Sequence, residues 1–139
     1  MKDMEIRELK TESERLDAVP ILRQLWSDIP PEDVLEWTAD DEYHLFGGFA
    51  DEELVGVAGV LVKHVLHHAR NAWLYDLVVD EPRRSEGYGA SLIEFVERWA
   101  EERDCEHVAL ASPVTKDGVH RYYEGQNYEK WGYVLEKEL

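Results

Sequence analysis

A single cysteine, Cys105, stands in a chain of 139 residues. One thiol forms no intramolecular disulfide and no thiolate zinc site, which excludes a stapled secreted scaffold and favours a reducing, cytoplasmic setting. Long apolar runs are missing as well. None approaches the ~20 residues that span a bilayer, and residues 1–10 carry charges where a signal peptide needs a hydrophobic stretch, so neither a membrane partner nor a leader is expected. Basic residues are scarce: 15 Lys and Arg face 31 Asp and Glu, for a formal net charge of -16. Phosphate backbones are held by Lys and Arg that displace counterions, so nucleic acid is not expected as a partner. Internal repeats, low-complexity tracts and Gly/Ser/Pro linkers are also lacking, and residues 1–139 read as one domain.

What is present is the composition of a chain that folds by burial, with 44% hydrophobic residues, five Trp and seven Tyr. The acidic residues are spread over the whole sequence (Glu12, Glu14, Asp40, Asp41, Asp51, Glu101, Glu102 among them) rather than gathered in a tail. Such a distribution resembles that of proteins from salt-accumulating halophiles, whose carboxylates keep the surface hydrated while salt screens their repulsion. An acidic mesophilic surface and one that attracts cationic substrates are the alternatives.

Hydrophobic spacing predicts the elements. Residues 4–9 form a short strand, and residues 12–26 a helix with Leu16, Val19, Leu22 and Leu25 at helical spacing, in which Pro20 implies a kink or boundary. A second short helix covers 32–39. Strands follow at 43–49, 54–65 and 72–79 as an antiparallel meander. Residues 87–103 place Leu92, Ile93, Val96, Trp99 and Ala100 on one helical stripe. A strand at 107–111, a helix at 119–125 and a last strand at 128–138 complete the chain. Strands followed by a strand-helix-strand unit give an α+β fold with an α/β/α layering, its mixed, mostly antiparallel sheet flanked by helices, and a parallel pair on either side of residues 87–103.

Chemistry concentrates where the buried strand Leu74-Tyr75-Asp76-Leu77-Val78-Val79-Asp80 runs through Glu81-Pro82-Arg83 into Arg84-Ser85-Glu86-Gly87-Tyr88-Gly89-Ala90. A glycine-rich turn at a helix start presents unpaired N–H groups and a positive dipole end, as a pyrophosphate requires, and tight strand-to-helix packing is the alternative use of the same glycines. A Walker loop is excluded because no Lys follows the glycines. A dinucleotide fingerprint is excluded because Leu92 stands where its third Gly belongs. The spelling Arg84-x-x-Gly87-x-Gly89-Ala90 after an apolar strand resembles the acetyl-coenzyme A signature of the GNAT superfamily of N-acetyltransferases. Val119-His120-Arg121-Tyr122-Tyr123-Glu124, followed by Asn127-Tyr128, resembles the family's later segment. Asn127 stands where the family prefers Gly, and Asn tolerates the left-handed conformation such a turn demands.

The resemblance implies the GNAT acyl-coenzyme A N-acyltransferase fold and the transfer of an acetyl group from acetyl-CoA to an amine. It also implies roles. Backbone N–H groups of Arg84, Ser85, Glu86, Gly87, Tyr88, Gly89 and Ala90 would cradle the coenzyme pyrophosphate, with the Arg84 side chain at its edge. Leu77, Val78 and Val79 would pair with the pantetheine amides, and an N–H at or beside Leu77 would polarise the thioester carbonyl. Tyr123 falls at the general-acid tyrosine, against a packing role for its ring, and Tyr122 is read as core. Asp76 is either the base that frees the amine or an acceptor of backbone or substrate donors. Arg83 is expected to face solvent.

His64, His67 and His68 sit close in sequence, but strand alternation sends His64 and His67 to opposite faces, and no metal is expected. His120 is read as an exposed helix residue and Cys105 as a small buried hydrophobe. Trp26, in the loop between the first two helices, is placed where relatives wall the acceptor pocket. The acceptor is a small-molecule or protein amine, a homodimer is left open, and a non-catalytic acyl-CoA-binding module of the same fold is the alternative to an enzyme.

Overall fold

Thr11 starts the first helix by a reciprocal cap: its Oγ1 accepts from the Glu14 N–H at 3.1 Å, and Glu14 Oε1 accepts from the Thr11 N–H at 3.2 Å. These hydrogen bonds hold the Glu14 carboxyl below its usual range. In the computed structural model, which describes residues 4–65, 69–112, 116–132 and 134–139, the elements run β1 (Glu5–Glu8), α1 (Glu12–Leu22), α2 (Pro31–Thr38), β2 (Tyr43–Ala50), β3 (Glu53–Val65), β4 (Ala69–Val79), α3 (Tyr88–Glu102), β5 (His107–Ala109) and α4 (Asp117–Gly125). The chain forms two compact units, Met1–Ala109 and Leu110–Leu139. No helix among the described residues is long and apolar enough to cross a membrane.

In the first unit the five strands lie in sequence order. β1 to β4 pair antiparallel, and β4 pairs β5 in parallel after the α3 crossover. Alternation along β2 sends Tyr43 and Leu45 to one face and His44 and Phe46 to the other. On the first face Ala18, Val19, Ile21 and Leu22 of α1 and Val34 of α2 pack with Tyr43, Leu45, Val57, Leu61 and Val78. On the second, Phe46 meets Phe95 and Trp99 of α3 at ring-centroid distances of 5.1 and 5.2 Å. All five residues of the predicted α3 stripe, Leu92, Ile93, Val96, Trp99 and Ala100, are buried.

In the first unit, expectations change at α1 and at Cys105. α1 runs through Pro20 but ends at Leu22 instead of 26. The Leu22 carbonyl receives the N–H groups of Leu25 and Trp26, and the Arg23 guanidinium turns onto the carbonyls of Ile29 and Ser27 at 2.9 and 3.1 Å, winding the chain into a loop. Leu25 therefore falls in the loop, 43% exposed, while Leu16, inside α1, lies on the face away from the core at 54%, and the core stripe is 18, 19, 21 and 22. Cys105 is half-buried in the turn before β5, not inside the core.

The second unit contains α4, which closes on a Schellman turn. Tyr128 N–H bonds the Tyr123 carbonyl and Asn127 N–H the Glu124 carbonyl, both at 3.0 Å. Asn127 takes φ 70°, the left-handed conformation expected of it. Among the described residues of 128–138 the expected strand is not formed. A strand exists only through ladder bonds, and the described residues of this stretch have no regular secondary structure, with Val134 and Leu135 63% and 91% exposed.

Candidate active site

β4 carries an irregularity that decides what its side chains can do. Gly59 of β3 pairs with Asp76, yet the next residue, Val60, pairs with Leu74. Tyr75 is thus an extra residue, a β-bulge. In a regular strand residues three apart face opposite sides, but here Trp73, paired with core residue Leu61, and Asp76 share the α1/α2 face.

Asp76 is 3% exposed and lies between two donors from distant parts of the chain. Tyr43 Oη donates to its Oδ2 at 2.6 Å, and Trp26 Nε1 donates to its Oδ1 at 2.7 Å. Gly59 makes the first bond possible, because a Cβ there would collide with the Tyr43 hydroxyl. Burial, and then the neighbouring Asp76 charge, push the Tyr43 phenol well above its ordinary value, so it remains a donor through the neutral range. Both donors are neutral, and no described cation lies at ion-pair distance from the carboxylate.

Beyond Asp76 the strand loses its neighbour. The β4–β5 ladder covers only Asn71, Ala72 and Trp73, so among the described residues of this unit the outer edge of Leu77, Val78 and Val79 has no strand partner. An unpaired edge offers N–H and C=O groups to an extended ligand. That edge leads through a 3-10 turn, Glu81–Arg83, to Gly87 and α3. Gly87 adopts φ 92°, which an L side chain rarely accepts, and a Cβ there would meet nothing within 4 Å. Ser85 is also left-handed, at φ 66°. The first N–H groups of α3, at Tyr88, Gly89 and Ala90, have no carbonyl of their own helix to bond. The turn is therefore open, rich in backbone donors and at the positive end of a fifteen-residue helix.

Side chains around the turn are more occupied than their spelling indicates. Arg84 donates from Nε to the Val79 carbonyl and from Nη2 to Gln24 Oε1, both at 2.9 Å. Gln24 also accepts from the Glu81 N–H at 3.1 Å and donates to Asp80 Oδ1 at 2.7 Å. It ties the end of α1 to the turn, a role nothing in its local sequence signals. Arg83 does not simply face solvent: Nη1 meets Glu53 at 2.7 Å, Nε meets Glu86 at 3.5 Å and Nη2 donates to the buried Tyr88 hydroxyl at 3.2 Å.

In the second unit Tyr123 is half-buried, with Tyr122 and Tyr128 at ring-centroid distances of 5.4 and 5.5 Å. Burial first, and the neighbouring Tyr122 second, push its phenol up to about 12. Tyr122, expected in the core, is 40% exposed. His120 is half-buried rather than exposed. His67, His68 and the His64 side chain lie outside the described residues, and among the described ones no group of three His, Cys, Asp or Glu is placed to hold a metal.

An uncharacterized N-acetyltransferase of Bacillus subtilis (strain 168), YhdJ, is 26% identical over 138 residues, 96% of this chain and 94% of that protein. Among solved structures, the aminoglycoside N-acetyltransferase AAC(6')-Iy in complex with CoA matches with a TM-score of 0.84 at 20% identity, over 100% of this chain and 96% of that one. The ribosomal-protein-alanine N-acetyltransferase from Brucella melitensis biovar Abortus 2308 also matches at 0.84, with 17% identity, over 99% of this chain and 100% of that one. At such identities these structures establish the fold. The sequence profile of the Acetyltransferase (GNAT) family matches residues 5–128, a span that takes in the bulged strand, the open turn and the Tyr123 helix, and the chain belongs to that family of acyltransferase enzymes.

Proposed function

We propose that the chain transfers the acetyl group of acetyl-CoA directly to a primary amine, without a covalent enzyme intermediate. The observation that carries this reading is the outer edge of Leu77, Val78 and Val79, without a strand partner among the described residues of its unit, running into the open turn at Gly87. Edge amides match an extended pantetheine arm, and the N–H groups of residues 85–90, with the remaining side-chain nitrogen of Arg84, match a pyrophosphate, the Arg84 backbone N–H being bonded to the Glu81 carbonyl at 3.3 Å. The CoA complex of the structural relative supports the same ligand.

Attack on the thioester forms a C–N bond and breaks the C–S bond, so one proton leaves the amine and one reaches the departing thiolate. An N–H at or beside Leu77 polarises the thioester carbonyl. Freeing an amine of pKa about 10.4 at neutral pH costs roughly 4 to 5 kcal/mol, which calls for a base. Asp76 is that base. Being 3% exposed, it acts through a bridging water, using lone pairs that Tyr43 and Trp26 leave open. Tyr123, protonated throughout the neutral range, supplies the proton to the thiolate.

The match of one family profile across residues 5–128 supports reading both units as one domain. The net charge of -16 supports a halophile-like surface, and a lone half-buried Cys105 supports a reducing compartment such as the cytoplasm. Consumption of acetyl-CoA against a panel of amines tests the reading. Amine-dependent release of free thiol with formation of the N-acetyl product is expected. Binding of coenzyme A with no turnover on any amine would replace the enzyme by a cofactor-binding module.

A further inference from the structure

Four aromatic rings gather on the α1/α2 face around the bulge. Trp37 of α2 lies 5.3 Å from Tyr43 and 6.5 Å from Tyr75, and Tyr75 lies 6.0 Å from Trp73, all as centroid distances with tilted or edge geometry. Trp37 and Tyr75 are 45% and 47% exposed, and Trp26, bonded to Asp76, is 45% exposed. Core packing does not explain this, because large rings half in water forgo the burial that stabilises a fold. The bulge exposes Tyr75, and the early end of α1 releases Trp26 into the loop. Beneath the rings is the Asp76 carboxylate, buried with two neutral donors and no described cation beside it. Around them α2 carries Glu32, Asp33 and Glu36, with no basic residue in its last turn. The nearby cation Lys63 is already paired with Glu42 at 3.0 Å.

We infer that this surface selects the acceptor, and that the acceptor is a primary ammonium carried on a flat aromatic body. Ring faces attract a cation and stack on an aromatic group, while the negative field of Asp76 and α2 draws in the ammonium and turns away amines that bear a carboxylate or phosphonate. A polyamine finds charge here but no match for the rings. The reaction part rests on the acetyl-transfer reading; the binding part does not.

The test is calorimetric titration of the coenzyme A-loaded protein with 2-phenylethylamine, spermidine, kanamycin and 2-aminoethylphosphonate, alongside acetylation kinetics with each. The expected result is binding and turnover of 2-phenylethylamine with kcat/KM at least about tenfold above the other three, and a rise in KM of about tenfold in Trp37→Ala and in Tyr75→Ala, at unchanged coenzyme A affinity. Trp37→Phe and Tyr75→Phe, which keep a ring, should recover most of the loss. Preference for the phosphonate, spermidine or kanamycin overturns the inference, as does an unchanged KM in the alanine variants. Binding of 2-phenylethylamine that depends on both rings, without turnover of any amine, upholds the surface and removes the acetyl-transfer reading. Turnover of another amine without binding of 2-phenylethylamine does the reverse.

Discussion

The turn at residues 84–90 and the floor around Asp76 lie on one stretch of chain, and they are built in opposite ways. The donors of the turn are local: they are backbone N–H groups set by Gly87 at φ 92° and the start of α3, while Gln24 and Glu53 brace only its side chains and its 3-10 entry. The floor is assembled: Asp76 meets Tyr43 and Trp26 from 33 and 50 residues away, and Tyr43 fits only because Gly59 has no side chain. Donors set by local backbone should fail at one backbone position. An assembled floor should lose stability together with function.

Gly89→Val should break the local end with the largest effect. A branched side chain in the first turn of α3 blocks approach to the backbone donors, so coenzyme A binding is expected to fall below detection in calorimetry while the melting temperature is preserved. Unchanged affinity in a folded variant would refute the turn as the cofactor site.

Tyr123→Phe sharpens the comparison by separating chemistry from binding at either end. Turnover should drop roughly 100- to 10,000-fold with coenzyme A affinity unchanged. A phenol pushed up to about 12 stays protonated at neutral pH, so its ionisation should add no alkaline limb to the rate below about pH 11. Because burial raises its value above the ordinary 10.0 of an exposed phenol, its contribution to stability is complete below pH 10 and is lost as pH rises through 12. Alkaline unfolding of the wild type and the Phe variant should diverge only in that window.

Asp76→Asn addresses the assembled end. An amide turns an N–H₂ group toward either Tyr43 or Trp26, leaving that donor without its acceptor at a cost of about 1 to 3 kcal/mol in chemical denaturation. If Asp76 also serves as the base, turnover should fall roughly 100- to 10,000-fold at unchanged coenzyme A affinity. A stability loss with near-normal turnover would leave Asp76 a structural acceptor.

Salt should have the smallest effect and bears on both ends alike. Repulsion among the excess carboxylates is greater in the compact state, and the screening length falls from ~30 Å at 0.01 M to ~3 Å at 1 M. The melting temperature is therefore expected to climb through a KCl series, measured without acetyl-CoA. A flat or falling curve would return the acidity to acceptor recognition.

Much was legible in advance because it rests on short-range rules. The α3 stripe follows from a 3.6-residue period, the parallel pair from the handedness of a crossover, and φ 70° at Asn127 from its tolerance of that conformation. Leu25 misled because helical spacing does not say where a helix ends, and Arg23 closes α1 by bonding carbonyls four and six residues ahead, whereas Leu16, inside α1, lies opposite the buried stripe of 18, 19, 21 and 22. The strand expected over 128–138 misled because β character in a single segment says nothing about a partner.

By itself the sequence determined the open turn, the helix that follows it and the family, since each depends on residues within about a turn of one another or on spelling alone. The bulge at Tyr75, the tie from Gln24 to Arg84 across 60 residues and the burial of Asp76 under Trp26 and Tyr43 appear only with the folded chain. Those contacts join segments far apart in the chain. Their geometry depends on strand register and helix packing, which exist only once the whole sheet has closed its hydrogen bonds.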